Sequence, residues 1–295
     1  MPKAKELYPS MSENSRALIE GYVAGYNKYL NDTGLSNLPP KCQNQPWVKP
    51  ITAQELTAFI FSTSQMASGL RFLDAAFYAN PGSESEYLPY IGPRSSKAYD
   101  FSNMRRNTNK FSLPEIKNED FGSNAWGIGK SLSENERGIL LANPHFPHTG
   151  HLRFWQSHIT IPGILDVQGA ALHGLPGIVN IGFNNHVAWS HTVSASNRFA
   201  VYQLSLTDDS PLTYQYDDEV RQIDKKTFYV EVSSGAQSVV MAKDFYYSHY
   251  GLMIETPASI STLGWSDTSA YTLKDAAEFN TDLVDHWLAL NMSTN

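Results

Sequence analysis

The residues that follow Ser123 constrain the fold of this chain more than any other feature. From this serine onward, short apolar and β-branched runs alternate with turn residues, as in RGILLANP, LRFWQSHITIPG and KTFYVEV. Runs of about four to eight such residues between Gly, Pro and Asn are typical of β-strands. The sequence therefore predicts a large, mostly antiparallel β region in the middle of the chain.

Helical patterns flank this β region. Apolar and aromatic residues recur at helical spacing over Ser12–Leu30, and Ser12 stands where an N-cap is expected. Thr52 and Glu55 have the spacing of a capping box, which predicts a helix of about twenty residues through ELTAFIFSTSQMASGL. A last helix is predicted over Lys274–Met292.

The stretch of about residues 80–122 shows neither the residue spacing of a helix nor that of a strand. It is rich in Pro, Gly, Ser, Asn and charged residues, as in NPGSESEYLP and GPRSSKAYDFSNMRRNTNK. Such a composition predicts a linker, a long loop or a removable segment.

The net charge and the composition limit the classes of binding partner that this chain can have. The formal net charge of −7 argues against a nucleic-acid backbone or an anionic membrane surface, since both attract clustered Lys and Arg. The single Cys42 excludes a disulfide within these 295 residues. No apolar run is long enough to span a bilayer, and the N-terminal residues lack the apolar core of a secretory signal. We therefore expect a soluble chain with no nucleic-acid or membrane partner.

Three histidines in HFPHTGH raise the possibility of a metal site. His145, His148 and His151 are spaced three apart, and imidazole is the commonest transition-metal ligand, so a zinc hydrolase is one hypothesis. Pro147 and Gly150 break the helix that would align the rings, and no acidic residue stands at a ligand spacing. Ordinary strand-end and loop positions are the alternative interpretation.

Ser123 offers a different chemistry. The nucleophile elbow G-x-S-x-G is absent around it. If the Gly122–Ser123 bond is cut, however, the serine gains a free α-amine with an ordinary pKa near ~8, which can accept a proton at neutral pH. The hydroxyl can also attack the preceding carbonyl in an N-to-O acyl shift. The residues thus allow a self-cleaved, N-terminal serine nucleophile.

Several stretches carry a family resemblance. They are EGYVAGYNKYL, LPPKCQNQPWVKPIT, GSNAWGIGKS, LLANPHFPHTGHLRFWQSHITIPG, GLPGIVNIGFNNHVAWSHTVS, SHYGLMI and LVDHWLALN. In this order, over nearly the whole chain, they resemble the penicillin acylase family of N-terminal-nucleophile hydrolases. Within that family they are most similar to the acyl-homoserine-lactone acylase and aculeacin acylase branch.

The resemblance implies an α+β fold, the four-layer αββα sandwich of these hydrolases, with a helical N-terminal part. It assigns residues 1–98 to the α chain, residues 99–122 to a spacer peptide that is excised, and residues 123–295 to the N-terminal part of the β chain. The expected product is a self-derived α/β heterodimer.

The resemblance also implies roles for individual residues. Ser123 matches the autocatalytically exposed nucleophile, and Gly122 matches the last residue of the spacer. His145, 22 residues after the serine, matches the histidine that contacts the nucleophile's amine. Val193, in WSHTVS, falls where a backbone N–H forms part of the oxyanion hole.

The same resemblance implies hydrolysis of an N-acyl amide, with an N-acyl-homoserine lactone as the expected substrate. A penicillin or other β-lactam acylase and a lipopeptide acylase of the aculeacin type are alternatives. From other classes, a zinc hydrolase and an inactive fragment remain open. The candidates to line an acyl pocket, which could equally be sheet core, are Trp126, Phe146, Trp155, Leu175 and Trp189.

The chain also departs from the family pattern. The family's catalytic asparagine and a later arginine follow the helix that ends near Asn291, and family precursors begin with a signal peptide. We therefore expect an internal piece of a periplasmic or secreted enzyme, incomplete at both ends, whose independent activity stays open. Calcium-binding acids of some members are missing from SASNRFAVY, so no cofactor is predicted. Cys42 resembles a family cysteine that has no partner in this stretch.

Overall fold

The structure is a computed structural model that describes residues 2–65, 69–81, 90–91, 122–150, 152–192, 194, 198–234, 237–256, 263–278, 280 and 282–295. Helices α1 to α5 span Pro2–Leu7, Glu13–Thr33, Ala53–Gln65, Leu73–Tyr78 and Leu283–Met292. Strands β1 to β7 span Tyr90–Ile91, Gly122–Ile128, Ile139–His145, Phe154–Ile161, Leu165–Leu172, Ile181–Phe183 and Ala188–Trp189. Strands β8 to β14 span Phe199–Thr207, Ser210–Tyr216, Glu219–Gln222, Asp224–Ser234, Gln237–Tyr247, Met253–Ile254 and Ser269–Asp275.

The first long helix, α2, begins where the sequence predicts. Ser12 is its N-cap, and the Ser12 hydroxyl oxygen accepts a hydrogen bond from the backbone N–H of Ser15 at 3.1 Å. This bond satisfies one of the N–H groups that a helix start leaves without a partner. The helix ends at Thr33, and Gly34 follows with φ of +73°, a conformation that glycine adopts without steric cost.

The capping box at the start of α3 is confirmed. The backbone N–H of Thr52 donates to Oε2 of Glu55 at 2.8 Å, and the N–H of Glu55 donates to Oγ1 of Thr52 at 3.2 Å. The described helix spans Ala53–Gln65, the predicted continuation over residues 66–68 lies outside the described residues, and Gly69–Phe72 forms a short 3₁₀ turn.

The predicted start of the last helix is wrong. Lys274 and Asp275 end strand β14, where they pair with Ala200 and Phe199 of β8, and α5 begins only at Leu283. The apolar spacing after Lys274 resembles a helix, but the backbone of 269–275 forms its hydrogen bonds along β8 instead. Pairing with a residue about seventy positions away is not encoded in local periodicity.

The predicted antiparallel β region is confirmed, because every strand pair among the described residues is antiparallel. The strands form four sheets with the orders β1-β12-β11, β10-β9-β8-β14-β13, β2-β3 and β4-β5-β6-β7. Helices together with antiparallel sheets make this a mixed α+β fold.

The chain divides into two compact units. The first comprises residues 1–64, 116–195 and 280–295. Its described part contains α1, α2, α3, α5 and strands β2 to β7. One core cluster joins helices to the chain after β5 through Ile19, Ile60, Ile178 and Val284, and a second forms on the β4-β5-β6-β7 sheet around Val167, Val179 and Trp189.

The buried side-chain amide of Asn291 binds α5 to the backbone at Val179 within this first unit. Asn291 is 1% exposed, and its side chain accepts from the backbone N–H of Val179 at 2.8 Å and donates to the Val179 carbonyl at 2.9 Å. The Asn184 side chain donates to the Asn291 carbonyl at 3.1 Å. We call Val179, Asn184 and Asn291 the amide junction.

The second unit comprises residues 65–115 and 196–279. Its described part contains α4, β1 and strands β8 to β14. The described residues of this unit form a core cluster around Tyr214, Ile223, Met253 and Trp265. Strand β1 pairs with β12, so residues 1–98 include strand as well as helix.

Each unit takes residues from both sides of Gly122. The compact units therefore follow a different division from the proposed segments 1–98, 99–122 and 123–295, and of the proposed spacer only Gly122 lies within the described residues. Among the described helices, none is both long and apolar enough to cross a bilayer.

Candidate active site

Ser123 lies at the start of strand β2, beside the end of β3. In the β2-β3 ladder Gly122 is opposite His145, and Ser123 is opposite Pro144. This antiparallel register brings the predicted histidine to the predicted cleavage bond from 22 residues away in sequence.

The His145 ring lies against Gly122. A β-carbon placed on Gly122 would be 3.0 Å from Nδ1 of His145, so the glycine leaves the space that the imidazole occupies. The other ring nitrogen, Nε2, lies 3.0 Å from Nδ2 of Asn143. An amide nitrogen donates, so this contact makes Nε2 the acceptor and leaves the proton of the neutral ring on Nδ1, which faces Gly122.

The Ser123 hydroxyl is close to the bond that would be cut. It donates a short hydrogen bond to the carbonyl oxygen of Gly122. Ser123 is half-buried and His145 is exposed, so reagents and substrate can reach this end of the hairpin.

Beyond this end, the hairpin exposes a row of apolar side chains. Trp126 is opposite Leu141 and Ile128 is opposite Ile139, and the exposed fractions of these four run from 37% to 57%. Trp126, which the sequence offers as a pocket residue, therefore lies on the open face of the β2-β3 hairpin.

Two other predicted pocket residues do border a cavity. It has a volume of about 300 Å³ and lies beside Tyr22 of α2, Trp155 of β4 and the turn after β5 that holds Leu175. Tyr22, Ser157 and His173 give it polar groups. Its remaining walls are apolar or glycine: Ile159, Ala171, Leu172, Gly174, Gly177 and Ile178.

Phe146 and Trp189 have other surroundings. The ring of Phe146 packs 5.1 Å from that of Phe154. Trp189 is 7% exposed in a core cluster, and its indole N–H donates to the carbonyl of Val179 at 3.3 Å. The structure thus brings Trp155 and Leu175 to one cavity, and leaves Trp126, Phe146 and Trp189 off its lining.

The predicted oxyanion residue, Val193, lies outside the described residues. The nearby His191 is described, and sequence reasoning did not single it out. Its Nε2 accepts a hydrogen bond from the indole N–H of Trp287 at 2.9 Å. Burial lowers the pKa of His191, although a hydrogen bond to the backbone of Asn180 partly opposes this effect.

The histidines give the zinc hypothesis no ligand cluster within the described residues. No three His, Cys, Asp or Glu side chains converge there, and His151 lies outside them. His158 instead pairs with Asp166 across β4 and β5, with 2.7 Å between Nε2 and Oδ1.

Sequence reasoning missed the parts of the site that depend on distant residues. Tyr22 lies within the predicted helix Ser12–Leu30, and nothing in that pattern places it beside Trp155 of the cavity. Trp287 likewise lies on a face of the predicted last helix, but its indole N–H donates a hydrogen bond to His191, 96 residues earlier. The local signal at His191 was its position in WSHTVS, two residues before Val193.

One family model and several acylases are similar to this chain over nearly its whole length. The family model for penicillin amidase matches residues 2–295. An acyl-homoserine lactone acylase, PvdQ, of Pseudomonas fluorescens (strain Pf0-1) is 38% identical over 281 residues, which are 95% of this chain and 34% of the relative. The aculeacin-A acylase of Actinoplanes utahensis is 33% identical over 282 residues, again 95% of this chain and 34% of the relative.

The chain thus spans about a third of the length of the curated relatives that it matches, 34% in both cases. Among solved structures, a thermostable penicillin G acylase from Alcaligenes faecalis is similar with a TM-score of 0.48 and 17% identity. That match covers 58% of this chain and 29% of the other.

Proposed function

Since the chain belongs to the penicillin amidase family, we propose that it hydrolyses the amide bond of N-acyl compounds through an acyl-enzyme on Ser123. The observation that carries the proposal is the register of the β2-β3 hairpin. It sets Gly122 opposite His145, so the hydroxyl that we propose as nucleophile, the bond that we propose to be cut and an imidazole lie at one strand end.

The first step is self-cleavage. Oγ of Ser123 attacks the carbonyl carbon of Gly122, the C–N bond breaks, and the nitrogen of Ser123 takes up a proton to become the free α-amine. Water then hydrolyses the ester between Gly122 and Ser123 and releases the Gly122 carboxylate. The short contact between the hydroxyl and the Gly122 carbonyl supports this step, because the reacting groups are already adjacent.

Turnover repeats the same chemistry on substrate. The α-amine of Ser123 takes the hydroxyl proton while Oγ attacks the acyl carbonyl, and the proton passes to the leaving amine. Water then releases the fatty acid from the ester. In this proposal His145 contacts the amine and helps to organise the site, and the backbone N–H of Val193 donates to the developing oxyanion.

The substrate is proposed to be an N-acyl-homoserine lactone. The relative from P. fluorescens bears that activity in its name, and the cavity beside Trp155 and Leu175 has mostly apolar walls that suit an aliphatic chain. A β-lactam acylase and an aculeacin-type lipopeptide acylase are the alternatives, and the second is favoured by the relative from A. utahensis.

The proposal includes a four-layer αββα sandwich and an α/β heterodimer made from residues 1–98 and 123–295 after loss of 99–122. By the same family resemblance, the enzyme acts in the periplasm or outside the cell. No metal takes part in the proposed chemistry.

Mass spectrometry of the purified chain tests the cleavage. We expect two fragments, one beginning at Ser123, and an uncut chain in the Ser123→Ala variant. The cleaved protein should then release fatty acid from N-acyl-homoserine lactones faster than it releases phenylacetate from penicillin G. An uncut chain that gains amidase activity with added zinc would refute the serine mechanism and support the zinc hydrolase.

A further inference from the structure

The side chain of Asn143 restrains the imidazole of His145. The two residues are two positions apart on strand β3, so their side chains leave the strand on the same face. Nδ2 of Asn143 lies 3.0 Å from Nε2 of His145. Among the residues that the structure describes, Asn143 is the one hydrogen-bond partner of this ring. The orientation of an otherwise exposed imidazole therefore depends on a single amide.

The β2-β3 register places the restrained ring against the bond that we propose to be cut. Gly122 is opposite His145, and Nδ1 of the ring is 3.0 Å from where a β-carbon of Gly122 would be. The two ring nitrogens thus have different surroundings. Nε2 meets the side-chain amide of Asn143, whereas Nδ1 faces Gly122.

The amide also selects the tautomer of the ring. The amide nitrogen of Asn143 carries two protons and donates, so Nε2 of His145 accepts. A neutral imidazole has one N–H, which is then on Nδ1 and on the side of Gly122. A carboxylate at position 143 would do the opposite, because it only accepts and would require the proton on Nε2.

We propose that Asn143 is a positioning residue for self-cleavage, whose side-chain amide holds the His145 ring against Gly122 with the Nδ1 proton on that side. The inference rests on the proposed function, in which Oγ of Ser123 attacks the carbonyl carbon of Gly122. Asn143 acts through His145 and contacts none of the reacting atoms.

The physical reason is that the attack places negative charge on the carbonyl oxygen of Gly122. An N–H donor fixed beside this residue stabilises the developing charge, whereas a nitrogen lone pair in its place would oppose it. A free, exposed imidazole divides its population between ring orientations and between two tautomers. One exposed hydrogen bond shifts such an equilibrium by about threefold to tenfold, so the effect of Asn143 should be smaller than that of His145 itself.

Two variants separate the orientation of the ring from its tautomer. Asn143→Ala removes the donor and leaves the ring free. Asn143→Asp keeps a side chain of nearly the same shape but accepts from Nε2–H, which reverses the tautomer. The matched controls are Asn135→Ala and Asn135→Asp, because Asn135 is an exposed asparagine in the turn at the other end of the same hairpin. Asn143 is exposed as well, so all four variants should fold, which circular dichroism checks.

The rate of self-cleavage is the first readout. The full chain is made by cell-free synthesis, and the cut fraction is followed over time on denaturing gels. At about pH 9, where imidazole is neutral, N143A should cleave about threefold to tenfold more slowly than the unsubstituted chain. N143D should be slower than N143A by about a further threefold, and both Asn135 variants should stay within about twofold of the unsubstituted chain.

The pH profile distinguishes positioning from a structural role. As the pH falls toward about 6, the ring in N143D gains a second proton and again carries an N–H on Nδ1, held by the carboxylate on Nε2. N143D should then cleave faster than N143A. A loss of stability alone would not reverse the order of the two variants between these pH values.

Nitrogen NMR reads the tautomer directly. Ser123→Ala keeps the junction uncut, and in this background His145 should carry its proton on Nδ1 at about pH 9, and on Nε2 when N143D is added. Cleavage of N143A and N143D at the unsubstituted rate, or an Nε2–H ring in S123A, would overturn the inference and leave the proposed function standing. Failure of the unsubstituted chain to cut itself would overturn the proposed function and the inference together.

Discussion

The end of the β2-β3 hairpin that holds Ser123 and His145 and the amide junction belong to the same unit, but their surroundings differ. At the hairpin end, Ser123 is half-buried, His145 is exposed, and the imidazole has one hydrogen bond to Asn143. At the amide junction, Asn291 is 1% exposed and bonds to both backbone groups of a fully buried Val179.

Because the two regions differ in burial, substitutions in them should affect different properties of the protein. Side chains at the hairpin end are accessible, so removing them leaves no buried polar group without a partner. Removing Asn291 would leave the backbone N–H of Val179 buried without this partner, which costs free energy in the folded state. We therefore expect substitutions at the first region to change rates, and substitutions at the second to change the free energy of unfolding.

The largest effect is expected for His145→Ala. Loss of the imidazole should slow self-cleavage and turnover by about 10³-fold, about 4 kcal/mol in activation free energy. Because the side chain is exposed, the melting temperature should change little. Cleavage is followed by mass spectrometry and stability by thermal unfolding. A soluble H145A variant with full activity would remove the distinction between the two regions.

Asn291→Ala should have the next largest effect. It leaves the N–H of Val179 buried and unpaired, while the Val179 carbonyl keeps its hydrogen bond from Trp189, so the free energy of unfolding should fall by about 2 kcal/mol. Asn31→Ala, on the exposed face of α2, is the control and should stay within about 0.5 kcal/mol. Denaturant unfolding measures both. Equal stability of the two variants would contradict the role of the amide junction.

A smaller, pH-dependent effect is expected at Asp285 of α5. Burial acts to raise the pKa of this carboxyl, but hydrogen bonds from Ser12 and Ser15 outweigh burial and hold it below the ordinary 3.8. A lowered pKa means that the stabilisation is complete above 3.8 and is lost as the pH falls through the folded-state value.

Asp285→Asn should therefore cost about 1 kcal/mol at pH 7, as expected for the loss of charge-assisted hydrogen bonds. The difference from the unsubstituted protein should shrink as the pH falls toward 3. Denaturant unfolding between pH 7 and pH 3 measures this difference in stability. A difference that grows as the pH falls would contradict the prediction.

The smallest effect is expected at the exposed His158–Asp166 pair. The two side chains are 57% and 51% exposed, and hydrogen bonds from His158 and then Thr160 lower the pKa of Asp166. Solvent and salt screen such a pair, so His158→Ala should move the melting temperature by no more than about 1 °C at physiological ionic strength. A larger shift would show that exposure is a poor guide to stability in this unit.

Local signals predicted the local structure well. Ser12 and the Thr52–Glu55 pair cap their helices as the sequence indicates, since a cap needs residues only three positions apart. The antiparallel sheets also follow from short runs and turns. The start of the last helix was wrong, because Lys274 and Asp275 find their partners on β8.

The candidate site could be predicted only where a family resemblance connected distant residues. That resemblance pointed to Ser123 and His145, and their adjacency in the hairpin agrees with it. It did not reveal the roles of Asn291 and Trp287, whose spacing looks like an ordinary helix face. Their hydrogen bonds reach residues 112 and 96 positions away, which no local pattern encodes.

Gly122 restricts how the cleavage junction can be redesigned. Any side chain there would meet the imidazole of His145, which is 3.0 Å from the position of a β-carbon and is free to swing outward because it is exposed. The residue type at 122 and the position of the His145 ring are thus coupled. A library randomised at 122 and selected for cleavage should therefore return mostly glycine, because a larger residue would displace the His145 imidazole from the Gly122–Ser123 bond.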